Sequence, residues 1–392
     1  MNRTPAVLIV TSKFGDGHVK AAEAIKQAFE AQGIDQVHIV DLFAEVFPRL
    51  NELSRRFYLN NSSFAQELYG FIYETTSKMK PDRTLGKLLH SLGKMKVRRL
   101  LDQLRPDLII HTFPYLAAAQ ISGEAGSQVP VFTVLTDYVV HGRWVHPYTT
   151  KYFTASSAMK QDLQAVGVPG ENIVVSGIPI RQRFTQLLNR EETLREHGLD
   201  SSRRYFLLAA GAYGVLSNIG GLIRSILDNS DYDLIAVCGN NHKLRAAMEA
   251  KFNGDHRVHV LGYTDRMPEL MSFSDGLLTK AGGITLTEAM AKSLPVIVYR
   301  PLPGQEAGNA RWLAGRNLID VAKNEEELIA AIRRLEQPVF REERKRVMRE
   351  YAGNCSSELI VDEALRALEL RQPVRQSSPE YMEGQAKTAH GY

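Results

Sequence analysis

Short runs of β-branched and aliphatic residues recur along this chain, each followed by a stretch whose apolar positions keep helical spacing. Ala6–Thr11, Val37–Asp41, Asp107–His111, Val131–Thr136, Lys151–Ala155 and Ile173–Ser176 predict the strands of a first sheet. Tyr205–Ala210, Leu234–Cys238, Val258–Leu261, Gly276–Thr279 and Pro295–Tyr299 predict those of a second. Helices are expected over 19–32, 325–335 and 356–371. Strands that alternate with helices, and that are apolar throughout rather than every second residue, belong in parallel sheets covered on both faces. The fold class is therefore α/β.

The rhythm breaks twice. Gly177-Ile-Pro-Ile-Arg181 stops a strand and leads into a polar, charged stretch through Asp200, the pattern of a crossover. It divides the chain into a first domain at 1–176, a linker at 177–200, a second domain at 201–354, a C-terminal helix at 355–372 and a polar tail at 373–392, which is expected to be disordered. The second break is an insert from about 45 to 101 that is helical in pattern, aromatic and basic. It carries Arg55, Arg56, Phe57 and Tyr58, and later Lys94, Lys96, Arg98 and Arg99, with Asp82 the only acid between 78 and 99. Cations beside aromatic side chains suit an anionic bilayer, at about 1 kcal/mol for each charge near its surface. A solvated helix face and an RNA-binding patch are the competing readings.

Composition narrows the field further. With 392 residues, 44% hydrophobic and 23% charged, the chain can bury two cores of ordinary size. A net charge of +4 is too mild to point to nucleic acid. The two cysteines, Cys238 and Cys355, are far apart and read as reduced, passive thiols. The first apolar run is too short for a signal peptide and no segment approaches a membrane span, so a cytoplasmic protein with peripheral membrane contact is expected.

Four loops that follow strands gather the chemistry. Lys13-Phe-Gly-Asp-Gly17-His18 joins a strand to a helix, where glycines admit a ligand and the helix N-terminus attracts negative charge. A dinucleotide fingerprint would need glycine at position 20, which is Lys20. His18 remains, either a structural histidine or a base able to take a proton from a hydroxyl. Lys280-Ala-Gly282-Gly283-Ile-Thr285-Leu-Thr287-Glu288 opens another helix. Its free N–H groups and Thr285 suit a diphosphate, with Glu288 placed for a ribose; otherwise Thr287 or Glu288 only caps the helix. Gln305, Glu306 and Asn309 follow Pro301-Leu-Pro-Gly304 and can read sugar hydroxyls. Asp137, His141, Arg143, Trp144 and His146 collect after the strand that ends at Thr136. A metal site on Asp137, His141 and His146 is disfavoured because the loop lacks a repeated liganding pattern. An acceptor-side or structural role is the better reading.

Together these motifs resemble those of the processive diacylglycerol glucosyltransferases, bacterial relatives of monogalactosyldiacylglycerol synthase of the glycosyltransferase family 28 type. The resemblance covers roughly residues 5–370. It implies a GT-B fold, two Rossmann-like domains facing across a cleft. It implies inverting transfer of glucose from UDP-glucose to diacylglycerol and glucosyl-diacylglycerol at the cytoplasmic face of the membrane, for glycolipid and lipoteichoic-acid anchor synthesis. No cofactor or essential metal is implied, since the UDP-sugar is a co-substrate. Carried over by position, His18 is the base, with Asp137 orienting it or replacing it. Gly211, Gly262, Tyr263, Lys280, Gly282, Gly283, Thr285, Glu288, Gln305, Glu306 and Asn309 face the donor. His141 and Trp144 join the basic insert on the acceptor side. The alternatives are a UDP-galactose enzyme, an N-acetylglucosamine transferase acting on a polyprenyl acceptor, a UDP-sugar epimerase, and a UDP-sugar sensor that would need no base.

Overall fold

The computed structural model describes residues 4–13, 16–46, 94–212, 214, 216, 218–352 and 357–369. Arg55, Arg56, Phe57, Tyr58, Gly15, Cys355 and the polar tail lie outside the described residues, as does the side chain of Lys94. Among the described residues the first half forms a parallel sheet in the order β2-β1-β3-β4-β5-β6. Its strands are β1 (Val7–Thr11), β2 (Val37–Asp41), β3 (Leu108–His111), β4 (Val131–Val134), β5 (Lys151–Thr154) and β6 (Ile173–Val175). The second sheet runs β12-β11-β10-β7-β8-β9. It is built from β7 (Tyr205–Ala209), β8 (Asp233–Val237), β9 (Val258–Leu261), β10 (Gly276–Thr279), β11 (Val296–Tyr299) and β12 (Asp320–Ala322).

The helices of the first half are α1 (Gly17–Ala31), α2 (Leu42–Val46), α3 (Lys94–Leu104), α4 (Ala117–Glu124) and α5 (Ser157–Ala165). α6 (Arg190–Glu196) lies in the crossover. α7 (Ile219–Asn229), α8 (His242–Lys251), α9 (Met267–Phe273), α10 (Gly283–Ala291), α11 (Gln305–Ala314), α12 (Glu325–Glu336), α13 (Pro338–Ala352) and α14 (Ser357–Glu369) follow. None of the described helices is long and apolar enough to cross a membrane.

The strand sequences report their place in each sheet. β1 pairs with β2 and β3 on its two sides, and Val7 lies opposite both Val37 and Leu108. With helices on both faces every residue of β1, and equally of β7 and β8, is buried, so apart from Thr11 and Asp233 at their ends these strands read as apolar runs without alternation. The edge strands β9 and β12 are only partly buried and carry polar residues. α1 buries Ala21, Ala22, Ala24, Ile25 and Phe29 along one face. It stops where Gly33 turns to a left-handed φ of 75° and the Ile34 N–H reaches back to the Phe29 carbonyl.

β12 and α13 are among the elements that the periodicity reading does not mark. β12 is an edge strand of three residues, too short to show alternation. α13 is so densely charged that its apolar stripe is hidden, although Met348 is fully buried. α14 returns to the first sheet, where Ile360, Val361 and Ala364 pack with Ile25 and Phe29, and Glu363 pairs with Lys151.

In each sheet the strand order reverses at one point, between β1 and β3 and between β7 and β10. Such switch points leave a crevice at the carboxyl ends of the strands. Both crevices open into the same cleft, lined by residues that follow β1, β3, β4, β7, β8, β10 and β11. One apolar core continues beneath it, joining Tyr138 and Trp144 of the first half to Ile284, Ala310 and Leu313 of the second.

Candidate active site

The cleft encloses about 450 Å³, within the range of small-molecule sites. Two helix N-termini meet at its floor. α1 starts at Gly17 and α10 at Gly283, and a Cβ on Gly17 would lie 3.3 Å from Ile284. Gly283 is tighter: a Cβ there would fall 2.2 Å from the Thr136 carbonyl oxygen across the interface. Gly283 is therefore demanded by the approach of the two halves. Gly282 faces open space instead and leaves the backbone accessible to a ligand. The first N–H groups of α10 have no carbonyl partner within the helix, so the end that borders the cleft attracts anions.

His18 lies in the first turn of α1. Its Nδ1 is 2.9 Å from Thr136 Oγ1, its carbonyl accepts the Thr112 hydroxyl at 3.0 Å, and its ring meets Phe113 edge-on at 5.1 Å. Trp144 stands on another side, 6.3 Å between ring centres. Burial pushes the imidazole below its ordinary value, opposed by the nearby Asp137 carboxylate. Asp137 is itself buried, which pushes its carboxyl upward, opposed first by His18. Its Oδ1 accepts Gln305 Nε2 at 2.5 Å and Asn309 Nδ2 at 2.9 Å. These hydrogen bonds put the His18 ring on Thr136, and Asp137 on the second half.

On the opposite wall, Gly211 has a φ of 81°, and a Cβ there would press on Lys280 Cε at 3.2 Å. Lys280 Nζ lies 3.2 Å from Glu306 Oε1. Glu288 is buried beside Arg181, 3.8 Å away, and burial pushes its carboxyl up to about 7. Thr285, Gln305 and Tyr263 also line the cleft, with the Tyr263 hydroxyl donating to Asp265 at 3.1 Å. His141 and Trp144 line the first-half side, where His141 Nδ1 accepts the Arg143 N–H and so caps a short 3-10 turn.

Two expected donor contacts lie elsewhere. Asn309 is fully buried behind the wall with its amide committed to protein partners, so it does not face the cleft. Gly262 is turned toward Arg245, 3.3 Å from where a Cβ would stand, and only its neighbour Tyr263 reaches the lining. His146 Nε2 bonds Gln120 at 3.0 Å, and Asp137, His141 and His146 do not form a cluster that could hold a metal ion. Lys96, Arg98 and Arg99 sit on α3, which packs on α2 and α4 away from the cleft.

Lining residues given no role from the sequence include Lys20, Phe113 and Thr136, while Arg143 and Arg181, which sequence motifs contain, line the cleft as well. Thr136 was legible in principle as the hydroxyl beside Asp137 at a strand end. Lys20 needed only the 3.6-residue period of α1, which places it close to the direction of Gly17.

The pattern of the monogalactosyldiacylglycerol (MGDG) synthase family matches residues 18–180, and that of UDP-N-acetylglucosamine 2-epimerase matches residues 143–365. The processive diacylglycerol beta-glucosyltransferase of Bacillus cereus (strain B4264) is 35% identical over 332 residues, covering 84% of this chain and 85% of that one. Among solved structures, the UDP-GlcNAc 2-epimerase of Neisseria meningitidis bound to UDP-GlcNAc superposes with a TM-score of 0.60 at 18% identity, over 92% of this chain and 100% of the other. MurG of Acinetobacter baumannii gives 0.58 at 15% identity, over 92% and 100%. At such identities these two likenesses establish the fold, which is GT-B. The sequence likeness, sustained over more than four-fifths of both chains, goes further: this chain belongs to the family of the processive diacylglycerol beta-glucosyltransferases, with a second half that also fits the epimerase pattern.

Proposed function

We propose that this protein transfers glucose from UDP-glucose to diacylglycerol, with inversion at the anomeric carbon and His18 as the base. The observation that carries the reading is the placement of His18: an imidazole held by Thr136 in the same cleft as the open N-terminus of α10. With a proton on Nδ1 donated to Thr136 Oγ1, the Nε2 lone pair is left for a substrate hydroxyl. The acceptor oxygen attacks the anomeric carbon as its proton passes to Nε2. The bond from that carbon to the diphosphate oxygen breaks, and the electron pair leaves with UDP. Burial favours the neutral imidazole that this step needs. Negative charge growing on the diphosphate meets the N-terminus of α10, Lys280 and Arg181.

The donor sits on the second half, with Glu288 toward the ribose and Gln305 and Glu306 toward the sugar. The acceptor enters from the first half past Trp144 and His141. No metal takes part in this scheme. Retention of the glycolipid at the membrane lets it return as acceptor, which gives a processive series. α3 exposes Met95, Lys96, Arg98 and Arg99 and would hold the protein on anionic lipid at the cytoplasmic face.

Product configuration and base assignment are tested together. Glycolipid made in anionic vesicles should carry a β-linked sugar by NMR, and His18→Ala should lower kcat by about 10²–10⁴-fold. An α-linked product excludes the single displacement, and a rate within a few-fold of wild type excludes His18 as base. The epimerase pattern over 143–365 supports a second reading, isomerisation of a UDP-sugar without acceptor. Conversion of UDP-N-acetylglucosamine in the absence of lipid would favour it.

A further inference from the structure

One group of hydrogen bonds between the two halves joins residues 136–138 to the helix α11. Asn309 follows Gln305 by four residues on that helix, so both side chains leave the same face. Asn309 Nδ2 donates to Asp137 Oδ1 at 2.9 Å and to the Ala281 carbonyl at 3.0 Å, while its Oδ1 accepts the Tyr138 N–H at 2.8 Å. These partners fix the orientation of the amide, since only NH₂ can meet a carboxylate and a carbonyl, and only oxygen can meet an N–H. Asn309 thus spends both donor hydrogens and an acceptor lone pair, with partners on both sides of the interface. Gln305 gives its Nε2 to the same Asp137 oxygen.

A second contact lies beside the first. The Thr287 hydroxyl donates to the Gly283 carbonyl at 2.8 Å, which leaves its oxygen to accept the Tyr138 hydroxyl at 2.6 Å. The Tyr138 ring stacks on Trp312 of α11, 5.2 Å between centres. The segment so held begins at Thr136, the partner of His18. One unbroken series of bonds therefore runs from the imidazole, through residues 136–138, to the helix that bears Gln305 and Glu306.

We propose that Asn309 is a positioning residue for the transfer reaction: it locks the segment that orients His18 to the helix that holds the donor sugar, so base and donor keep register without Asn309 touching either substrate. Tyr138 and Thr287 form the second half of this latch. The inference rests on the transferase reading given above. Removing the amide leaves Asp137 one donor short in a buried place and frees the segment to shift. A displacement of about 1 Å can cost about 10²-fold in rate. Asn309 and Thr287 are fully buried behind the cleft wall and do not line it, so binding of UDP by the main-chain N–H groups of α10 and by Glu288 should be spared.

The test compares full-length wild type, Asn309→Ala, Thr287→Val and the double variant. It uses labelled UDP-glucose with diacylglycerol vesicles for kcat and KM, and calorimetry for UDP affinity. The latch predicts a kcat lower by about 10²-fold in Asn309→Ala, with KM for UDP-glucose and UDP affinity close to wild type. Thr287→Val should lower kcat in the same direction, and the double variant should lose less than the product of the two single losses. Should Asn309→Ala fail to fold, Thr287→Val still decides: an unchanged kcat contradicts the latch. A normal kcat with a raised KM in Asn309→Ala would make Asn309 a direct sugar contact and overturn the proposal. Absence of transfer by wild type overturns the transferase reading and this proposal together, whereas normal wild-type transfer with an unaffected Asn309→Ala kcat overturns this proposal alone.

Discussion

At the scale of the residue, two adjacent glycines serve different ends. Gly282 has open space where a side chain would go, and Gly283 has the Thr136 carbonyl. Gly282→Ala should fold normally and weaken UDP binding, because the methyl occupies ligand space. Gly283→Ala should force the two halves apart and lower thermal stability as well as kcat. Calorimetric unfolding of both variants checks this, and equal unfolding temperatures would contradict it. Sequence alone reads the pair as one phosphate turn, because the partner that crowds Gly283 lies in a segment about 150 positions earlier, and proximity of that kind arises only with the tertiary fold.

His18 carries a pH signature. Its ordinary value of 6.5 is lowered by burial and partly restored by Asp137. Transfer requires the neutral imidazole, so kcat/KM should rise with pH through an apparent pKa below 6.5 and stay level above it. Because His18 and Asp137 interact, that value belongs to the pair. The same shift affects stability. Below pH 6.5 the unfolded chain binds a proton that native His18 resists, so stability falls as pH drops through that window, and less so in His18→Ala. An acid limb above pH 6.5 would contradict the buried environment. His18 itself was visible in the sequence, as an imidazole just after a strand and a glycine turn. Its pairing with Thr136 and its packing on Phe113 leave no mark in the sequence, since each of these residues follows a different strand.

At the scale of the element, the strands were the easiest features to read. β1, β7 and β8 are buried on both faces and are apolar apart from Thr11 and Asp233 at their ends, whereas β12 at an edge has three residues and little signal. Helix ends were legible where glycine stops them, as after α1, and obscure in α13, whose charge density hides Met348. α3 is the informative exception in function. It buries Val97 and exposes Met95, Lys96, Arg98 and Arg99, an arrangement suited to lying on a charged surface. Replacing Lys96, Arg98 and Arg99 by glutamate should weaken binding to anionic vesicles steeply and leave UDP affinity unchanged. Vesicle sedimentation at rising salt checks this, since attraction of this kind is screened within about 8 Å at physiological ionic strength. Unaltered sedimentation would remove α3 from the membrane surface.

At the scale of the whole molecule, the two sheets each reverse strand order once, and the site forms where those two points face each other. The two α/β halves and the loops at strand ends were legible from the alternation of strands and helices, and the resemblance implied the cleft, but the strand orders and their reversal points come only with the structure. What periodicity leaves open is how closely the halves meet. Asn309 looked like a sugar ligand from its place in a polar loop, yet the structure spends it on Asp137 and Tyr138 of the other half. Burial of a polar side chain between domains leaves no mark in the local sequence, because the pattern Gln-x-x-x-Asn is the same whether the amide meets a sugar or a carboxylate.

The central claim is glucosyl transfer from UDP-glucose to diacylglycerol. The most direct measurement offers labelled UDP-glucose and, in parallel, labelled UDP-galactose to diacylglycerol in anionic vesicles with a chelator present, and follows label into lipid. The account predicts labelled glycolipid from UDP-glucose, undiminished by the chelator, and a ladder of longer products as the first one re-enters the cleft. Lipid left unlabelled by UDP-glucose while UDP still binds would contradict it.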